Sequence, residues 1–208
     1  EYNAWSGTNS NPPEHTVILP FTRLLAGPMD FTPGIFDILF DDPPPDDRVN
    51  TTLAKQLALY VVIYSPLQMV ADLPENYADQ PALQFVQDVP VDWEETRVLH
   101  AEIGDVVTMV RQERDGDDWY LGSITDEERR SLEAQLDFLA ADTTYVAEIY
   151  ADASDADWES NPLAIEISKA LVDSETKFQI DLAAGGGLAV RFRPAAEEDL
   201  ANLPTYTP

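Results

Sequence analysis

The chain has 208 residues, of which 44% are apolar, which is enough to build one large domain or two small ones around a hydrophobic core. Its formal net charge is −27, and this argues against a nucleic-acid partner, since phosphate binding needs clustered positive charge. The chain has no cysteine, which excludes disulfides, thiolate metal sites and a cysteine nucleophile. No apolar run approaches the roughly 20 residues of a membrane-spanning helix.

Residues 11–34 are predicted to form a loop, a buried helix, a short strand and a turn, in that order. Glu14 falls in the first helical turn, where a carboxylate meets the positive end of the helix dipole. Residues 15–25 are apolar around most of the helical circumference, which predicts burial on most sides. Residues 29–32 are strand-like and carry one acid, Asp30.

Asp30 is a candidate site residue, because chemistry in barrels and doubly wound sheets sits at the C-terminal ends of strands. The alternative is that Asp30 only caps the following turn, a position that Asp commonly takes. After an apolar segment, residues 41–50 contain three consecutive prolines among acids and are expected to form a surface loop. Residues 51–72 are predicted to form a largely buried helix that is kinked or interrupted near Pro66.

From about residue 92 onward the hydrophobic pattern alternates with a period of two, which indicates short strands separated by turns. Such a pattern is typical of an antiparallel sandwich or barrel. The tail, residues 194–208, is polar and contains several prolines, so we expect it to be mobile. The predicted strands are residues 97–103, 106–111, 119–124, 131–139, 144–151, 163–167, 177–182 and 188–192.

The chain therefore divides into three parts: an α/β part at 1–89, an all-β domain at 90–193 and the tail at 194–208. The first part has too few predicted strands to close a sheet. We expect it to complete a larger domain together with a missing N-terminal part of the same polypeptide.

The spacing of histidines, glycines and acids does not indicate a histidine metal site, a catalytic triad, a nucleotide site or a calcium loop. His15 and His100 lie in different predicted parts, which argues against a histidine metal site or a Ser/His/Asp triad. The glycine run at 185–187 lies between strands and opens no helix, so a nucleotide site is not expected there. The acid-rich stretches 115–118 and 152–157 lack a full calcium-loop register and are interpreted as solvated acidic surface.

Longer motifs carry a family resemblance. The segments EYNAW, NPPEH, PFTRLLAGPMDFTPG and LAKQLALYVVIYSPLQM, followed by DWEETRVLHAEIGD and DDWYLGSITDE, together resemble glycoside hydrolase family 97. The resemblance implies hydrolysis of terminal α-glycosidic bonds in an oligosaccharide, by an α-glucosidase or an α-galactosidase. It also implies a fold: the last segments of a (β/α)8 barrel, then an antiparallel β-sandwich linked to homo-oligomerisation. A bacterial, periplasmic or secreted protein is expected on the same ground.

The resemblance also assigns roles to individual residues. Glu1 matches the family's catalytic general acid, and it is implied to be a calcium ligand shared with glutamates upstream of the chain. Glycoside hydrolysis needs a second carboxylate, which would also lie upstream, so the chain alone is expected to be inactive. The choice between inverting and retaining mechanisms stays open. Asp30 and His15 are candidate substrate-binding residues, with packing as the alternative role for His15.

A different class of function is also compatible with the sequence. The β domain would then be a non-catalytic module that binds carbohydrate or mediates oligomerisation, with the helical part as a remnant. Exposed aromatic side chains on one face would favour sugar stacking, and the candidates are Trp119, Tyr120 and Trp158. Core or interface packing is the alternative for at least Trp119.

The acid-rich, lysine-poor composition predicts a source that lives in high salt, because ions screen the repulsion between surface carboxylates. The free energy of unfolding should therefore rise as NaCl is added. Urea titrations at several NaCl concentrations measure this, and a protein that is most stable without salt would contradict the expectation.

Overall fold

The computed structural model describes residues 11–40 and 48–208. Its helices are short, and most lie in the first half of the described chain. They are α1 (Glu14–Ile18), α2 (Leu53–Val62), α3 (Pro74–Tyr77), α4 (Leu83–Asp88) and α5 (Glu197–Asn202).

The strands begin at Trp93 and form two antiparallel sheets. The larger sheet has six strands in the order β1-β2-β3-β8-β5-β6, and the smaller sheet pairs β4 with β7. The strands are β1 (Trp93–Glu102), β2 (Val106–Glu113), β3 (Trp119–Thr125), β4 (Arg130–Gln135), β5 (Tyr145–Asp152), β6 (Ile165–Val172), β7 (Lys177–Leu182) and β8 (Gly187–Pro194).

The prediction of an antiparallel β domain is confirmed, and all eight predicted strands overlap the observed ones. The turns are where the residue types indicated. Gly104, with φ of +85°, closes the turn between β1 and β2, a conformation that glycine adopts without a steric penalty. Asp115, Gly116 and their neighbours connect β2 to β3.

The two sheets enclose an apolar core, as expected of a sandwich. Its aromatic side chains meet edge to face, with ring centroids 5.6 Å apart for Phe138 and Phe192 and 5.9 Å apart for Phe178 and Phe192. Val190 and Leu121, at the centre of the larger sheet, are completely buried in the same cluster.

A second core forms on the opposite face of the six-stranded sheet, where α2 packs. Every residue of α2 is buried. Its apolar side chains share one cluster with Val107, Tyr120 and Ala189 of the sheet. Apolar contacts therefore cross residue 89, where the sequence predicts a boundary between parts.

Two glycines let α2 approach the sheet closely. A Cβ atom on Gly122 would lie 2.7 Å from the carbonyl oxygen of Ala58 and 2.8 Å from the Cβ of Val61. A Cβ atom on Gly187 would lie 2.6 Å from the Cα of Lys55. Any larger residue at these positions would push the helix off the sheet.

The expectations for residues 15–34 were partly wrong. The helix α1 ends at Ile18, and two 3-10 turns follow at Leu19–Phe21 and Arg23–Ala26. Pro20 explains the early end, because it has no backbone N–H to continue the helix. Only Val17 of α1 is buried, and Leu25 is 80% exposed, so burial on most sides is not observed.

Two other expectations need correction. The helix predicted for residues 51–72 ends at Val62, short of Pro66, which restricts the backbone before it. The tail was expected to be mobile, but it contains α5, and the Tyr206 ring stacks on Phe178 with centroids 4.8 Å apart. The sequence did not predict this contact of Tyr206, because the residues around it are polar and include several prolines.

The described residues before β1 form no sheet that could belong to the expected (β/α)8 barrel. Residues 29–32, predicted as a strand, pair with no strand, and no strand occurs in residues 11–40 or 48–92. The backbone N–H of Met29 instead donates to the carbonyl oxygen of Tyr64 (3.2 Å). In the part of the chain that the structure covers, no helix is long and apolar enough to cross a membrane.

We expect Gly122→Ala to lower the free energy of unfolding by roughly 1–3 kcal/mol, because the added methyl group overlaps backbone and side-chain atoms of α2. Urea unfolding measures the change. Gly116→Ala is the matched control, since its Cβ would meet mainly the flexible Glu113 side chain. Equal stability of the two variants would show that the helix is not held so closely.

Candidate functional site

Helices α1 and α2 and the segment between them surround a small cavity of about 60 Å³. The volume leaves room for water but is far below the roughly 300 Å³ or more of typical small-molecule pockets. Its lining brings together side chains far apart in the sequence, including His15, Phe31, Thr32, Thr51, Lys55 and Gln56.

Lys55 is the charged group at this cavity, and its side chain is only 1% exposed. Its Nζ donates to the carbonyl oxygens of Pro13 (2.8 Å) and Thr125 (2.7 Å). Burial lowers the pKa of Lys55 to about 7, against the opposing attraction of Glu127, Asp152 and Asp126. The Lys55 amino group therefore ties the start of α1 and the end of β3 to α2.

The N-terminus of α2 rests on loops of the β domain. The Thr52 hydroxyl caps the helix by accepting from the backbone N–H of Lys55 (3.2 Å). The N–H groups of Thr52 and Leu53 donate to the carbonyl oxygens of Gly185 (3.3 Å) and Pro162 (2.8 Å). The helix end is thus satisfied by distant parts of the chain.

Asp152 lies close to the same helix end. Its Oδ2 accepts from the backbone N–H groups of Ala183 (3.0 Å) and Gly187 (2.8 Å). Its Oδ1 is buried and has no hydrogen-bond partner among the described residues. Burial raises the pKa of Asp152 to about 6, although the Thr52 side chain, the two backbone N–H groups and Lys55 favour the charged form.

The turn after Asp30 is held by three side chains. Gln56 Oε1 accepts from the backbone N–H of Gly34 (2.9 Å) and Ile35 (3.2 Å). The Tyr60 hydroxyl donates to the Pro33 carbonyl oxygen (3.2 Å) or to that of Met69 (2.9 Å). The Tyr77 hydroxyl donates to Gly34 O (2.5 Å), so the turn is fixed from both α2 and α3.

Asp72 fixes the next residues of this turn. Its Oδ2 accepts from the backbone N–H groups of Phe36 (2.8 Å) and Asp37 (2.7 Å), and its Oδ1 from Leu73 N (2.8 Å) and Asn76 Nδ2 (2.6 Å). Partial burial alone would raise the pKa of Asp72, but these four hydrogen bonds outweigh it and hold the pKa below its usual value.

The structure separates the residues predicted to form a site. His15 lines the cavity, and burial lowers its pKa, which favours the neutral imidazole. Asp30 is exposed and outside the cavity lining, and no hydrogen bond of its carboxylate to another described residue is seen. Glu1, the predicted catalytic acid and calcium ligand, lies outside the described residues. The predictions for these three residues stay untested.

Metal-binding geometry is not found in the described chain. No group of three or more His, Asp or Glu residues within 11–40 and 48–208 could hold a metal ion. Two acids of the acid-rich stretches have other contacts: Asp118 pairs with Arg191 (2.8 Å), and Asp157 Oδ1 accepts from Glu159 N (2.9 Å). A calcium site therefore cannot be assembled from these side chains alone.

The aromatic side chains considered for sugar stacking are mostly in the core. Trp119 is 4% exposed and Tyr120 is 1% exposed. Trp158 is partly buried, with the Arg48 guanidinium 5.8 Å from its ring centroid. None of the three offers a free ring face comparable to a binding platform, so the core alternative for Trp119 is confirmed.

Lys55, Asp72 and Asp152 were not singled out from the sequence. For Lys55 a signal existed: it is the only charged residue in the otherwise apolar or amide-bearing segment that forms α2. A charged side chain in a helix that is buried on all sides needs hydrogen-bond or ion-pair partners, so Lys55 could have been predicted to contact other segments. Asp72 and Asp152 stand among many acids, and no spacing distinguishes them.

The fold matches a known family of domains. Residues 92–193 match the model described as "Glycosyl-hydrolase 97 C-terminal, oligomerisation". The chain is 32% identical over 202 residues to a retaining alpha-galactosidase of Bacteroides thetaiotaomicron, covering 93% of this chain and 29% of that protein. It is 34% identical over 113 residues to a probable retaining alpha-galactosidase of Streptomyces bingchenggensis, covering 54% of this chain and 16% of that protein.

A solved structure gives a closer match. A family 97 glycoside hydrolase from Pseudoalteromonas sp. strain K8, solved in complex with panose, is 50% identical with a TM-score of 0.89, over 94% of this chain and 30% of that one. The same enzyme was also solved with acarbose. The described helices and sheets thus occur together in an enzyme about three times as long.

These matches define the class of the protein: its homologues are glycoside hydrolases. More narrowly, residues 92–193 are a C-terminal domain of glycoside hydrolase family 97, and the resemblance inferred from the sequence motifs is confirmed. The chain spans 29% and 30% of the length of the first relatives it matches.

We expect Asp72→Ala to destabilise the protein by roughly 1–3 kcal/mol, because it leaves two partly buried backbone N–H groups without an acceptor. The pKa of Asp72 is lowered in the folded state, so its contribution is present above the usual Asp pKa and is lost as the pH falls through the lower folded value. Urea unfolding at pH 7 and under acid conditions measures both effects.

Asp30→Asn is the matched control for this prediction, since Asp30 belongs to the same segment but is exposed. It should leave the free energy of unfolding unchanged within about 0.5 kcal/mol. If Asp72→Ala were as stable as the control at neutral pH, the carboxylate would not be holding the turn.

Proposed function

We propose that this chain forms the C-terminal part of a family 97 glycosidase that hydrolyses terminal α-glycosidic bonds of an oligosaccharide. The observation that carries the proposal is the 50% identity and TM-score of 0.89 over 94% of the chain to the enzyme bound to panose. That match includes the helical segments as well as the β domain, so it supports an enzyme rather than an isolated sandwich module.

The described residues would act as a framework in this enzyme. The turn held by Gln56, Tyr60 and Asp72 follows Asp30 directly, and α2 anchors it to the β domain. We propose that the 11–40 and 48–89 segments complete a (β/α)8 barrel supplied by further polypeptide. This would give residues 29–32 a neighbouring strand and would place Asp30 at the barrel mouth, where sugar hydroxyls bind.

We further propose Glu1 as the general acid, on the resemblance of the sequence that follows it. A carboxylic acid at this position would protonate the leaving oxygen, while a second carboxylate outside this chain activates water or attacks carbon. The chain is similar in sequence to a panose-bound enzyme and to retaining alpha-galactosidases, so both α-glucosides and α-galactosides are candidate substrates. The higher identity to the panose-bound enzyme favours α-glucosides.

Calcium is proposed on family resemblance, with Glu1 as one ligand. The described acids do not supply the rest of a site, so glutamates beyond them would have to complete it. Hard carboxylate oxygens suit calcium, which would supply local positive charge. A periplasmic or secreted location is proposed on the same family resemblance, and fractionation of the source would test it.

A homo-oligomer is the partner that the domain description favours. The model that residues 92–193 match is described by the word oligomerisation. We propose that the β domain carries the contact between copies, and light scattering of the purified protein would measure the number of subunits. A monomer at all concentrations would contradict this part of the proposal.

The test of the catalytic proposal is hydrolysis of nitrophenyl α-glucoside and α-galactoside by the complete protein beside its Glu1→Gln variant. Loss of the acid should lower kcat by roughly 10²- to 10⁴-fold, because protonation of the leaving group no longer assists bond cleavage. A chelator should also lower activity, and added calcium should restore it.

Asp88→Asn is a suitable control, since Asp88 pairs with Arg191 of the β domain (2.9 Å) and is not proposed to touch substrate. Full activity in the Glu1→Gln variant would mean that the acid lies elsewhere. Activity on neither glycoside with intact folding would favour the non-catalytic module.

A further inference from the structure

An open groove lies between the two-stranded sheet and the β5–β6 end of the larger sheet. Its volume is about 700 Å³, within the range of small-molecule sites. The smaller sheet has two strands and cannot cover a six-stranded sheet completely, which leaves this part of the sandwich open. Residues on its walls include Ile149, Glu166, Ser168, Gln179, Asp181 and Tyr206.

The wall formed by β6 changes character along the strand. Ala170 and Val172 are 8% and 3% exposed and face the core of the sandwich. Side chains two residues apart share a face, so Ser168 and Glu166 continue the same row, yet both are exposed and polar. No hydrogen bond or ion pair of their side chains to another described residue is seen. This row suits a polar occupant, because an apolar partner would bury the Glu166 carboxylate without compensation.

The charges around the groove disfavour an anionic occupant, because the acids Asp152, Glu166 and Asp181 outnumber the arginines of its lining. Arg130 pairs with Asp126, and Arg129 donates to the carbonyl oxygen of Ala156. Among the described residues that line the groove, these two arginines are the only cations. The net charge of −27 would also repel an anion. A neutral ligand with many hydroxyl groups meets no such barrier.

The opposite wall offers hydrogen-bonding groups beside an aromatic ring. Asp181 Oδ1 accepts from Ser131 Oγ (2.7 Å) and Gln179 Nε2 (3.1 Å), which orders this polar row on β4 and β7. Tyr206 is held by the stack on Phe178 and by Gln179 N, which donates to its hydroxyl (3.1 Å). A partly apolar ring next to carboxylate and amide groups matches a pyranose, which has C–H faces and hydroxyl edges.

We propose that this groove binds a short neutral oligosaccharide, away from the catalytic centre. The choice of ligand rests on the proposed function. A second sugar site would hold the oligosaccharide on the enzyme while the terminal sugar unit is cleaved at the catalytic centre. This second contact would raise the effective concentration of the substrate at the catalytic centre.

The test is a ¹H–¹⁵N NMR titration of the 208-residue chain with panose and with melibiose. We expect millimolar binding, with shifts concentrated at the backbone amides of Glu166, Ser168, Gln179 and Asp181. Glu166→Ala combined with Ser168→Ala should weaken binding at least about tenfold, as expected from losing two hydrogen bonds to the ligand. Trigalacturonate, an anionic oligosaccharide, should produce no shifts at these amides.

Glu133→Ala is the matched control, because Glu133 is an exposed acid on β4 that lies outside the groove and pairs with Lys177 (3.2 Å). It should leave binding unchanged. No shifts at the groove amides with either sugar, or equal binding by the double variant with an unchanged spectrum elsewhere, would overturn the proposal. Hydrolysis by the complete protein is measured separately, so a groove that binds nothing leaves the catalytic proposal standing.

Discussion

The structure depends on the close approach of α2 to the six-stranded sheet. Gly122 and Gly187 present no side chain to the helix, so backbone and Cβ atoms of α2 lie where a methyl group would otherwise be. Close packing of this kind gains dispersion contacts and excludes water from both surfaces. Because every residue of α2 is buried, the helix cannot be stable apart from the sheet, and the β domain and the helical segments are stabilised together.

That packing determines where the polar groups must go. The buried Lys55 needs acceptors and finds the carbonyl oxygens of Pro13 and Thr125, while Gln56 on the next position holds the turn at Gly34. A buried donor without an acceptor would cost more free energy than a typical hydrogen bond contributes. The same helix thereby connects the β domain to the segment that carries Asp30, which is the physical basis for assigning these residues a supporting role.

The few cations of this acidic chain are used in shared contacts. Arg191 pairs with Asp88 (2.9 Å) and Asp118 (2.8 Å), and Arg193 pairs with Asp199 of α5 (2.7 Å) as well as Glu148 (3.3 Å). The attraction of Lys169, Arg191 and Arg193 offsets the burial of Glu148 and holds its pKa below the usual value. These pairs join α4, the sheet and the C-terminal segment, which explains why the proline-rich tail is ordered despite its composition.

The sequence by itself determined the strands and turns of the β domain and its family, because alternation, glycine turns and long motifs are local properties of the chain. It did not determine the extent of the early helix, the lack of sheet pairing at residues 29–32 or the place of Tyr206. Those depend on which surfaces meet, as do the roles of Lys55, Asp72 and Asp152. Only the tertiary structure decided them, since a residue's burial and hydrogen-bond partners are set by segments distant in sequence.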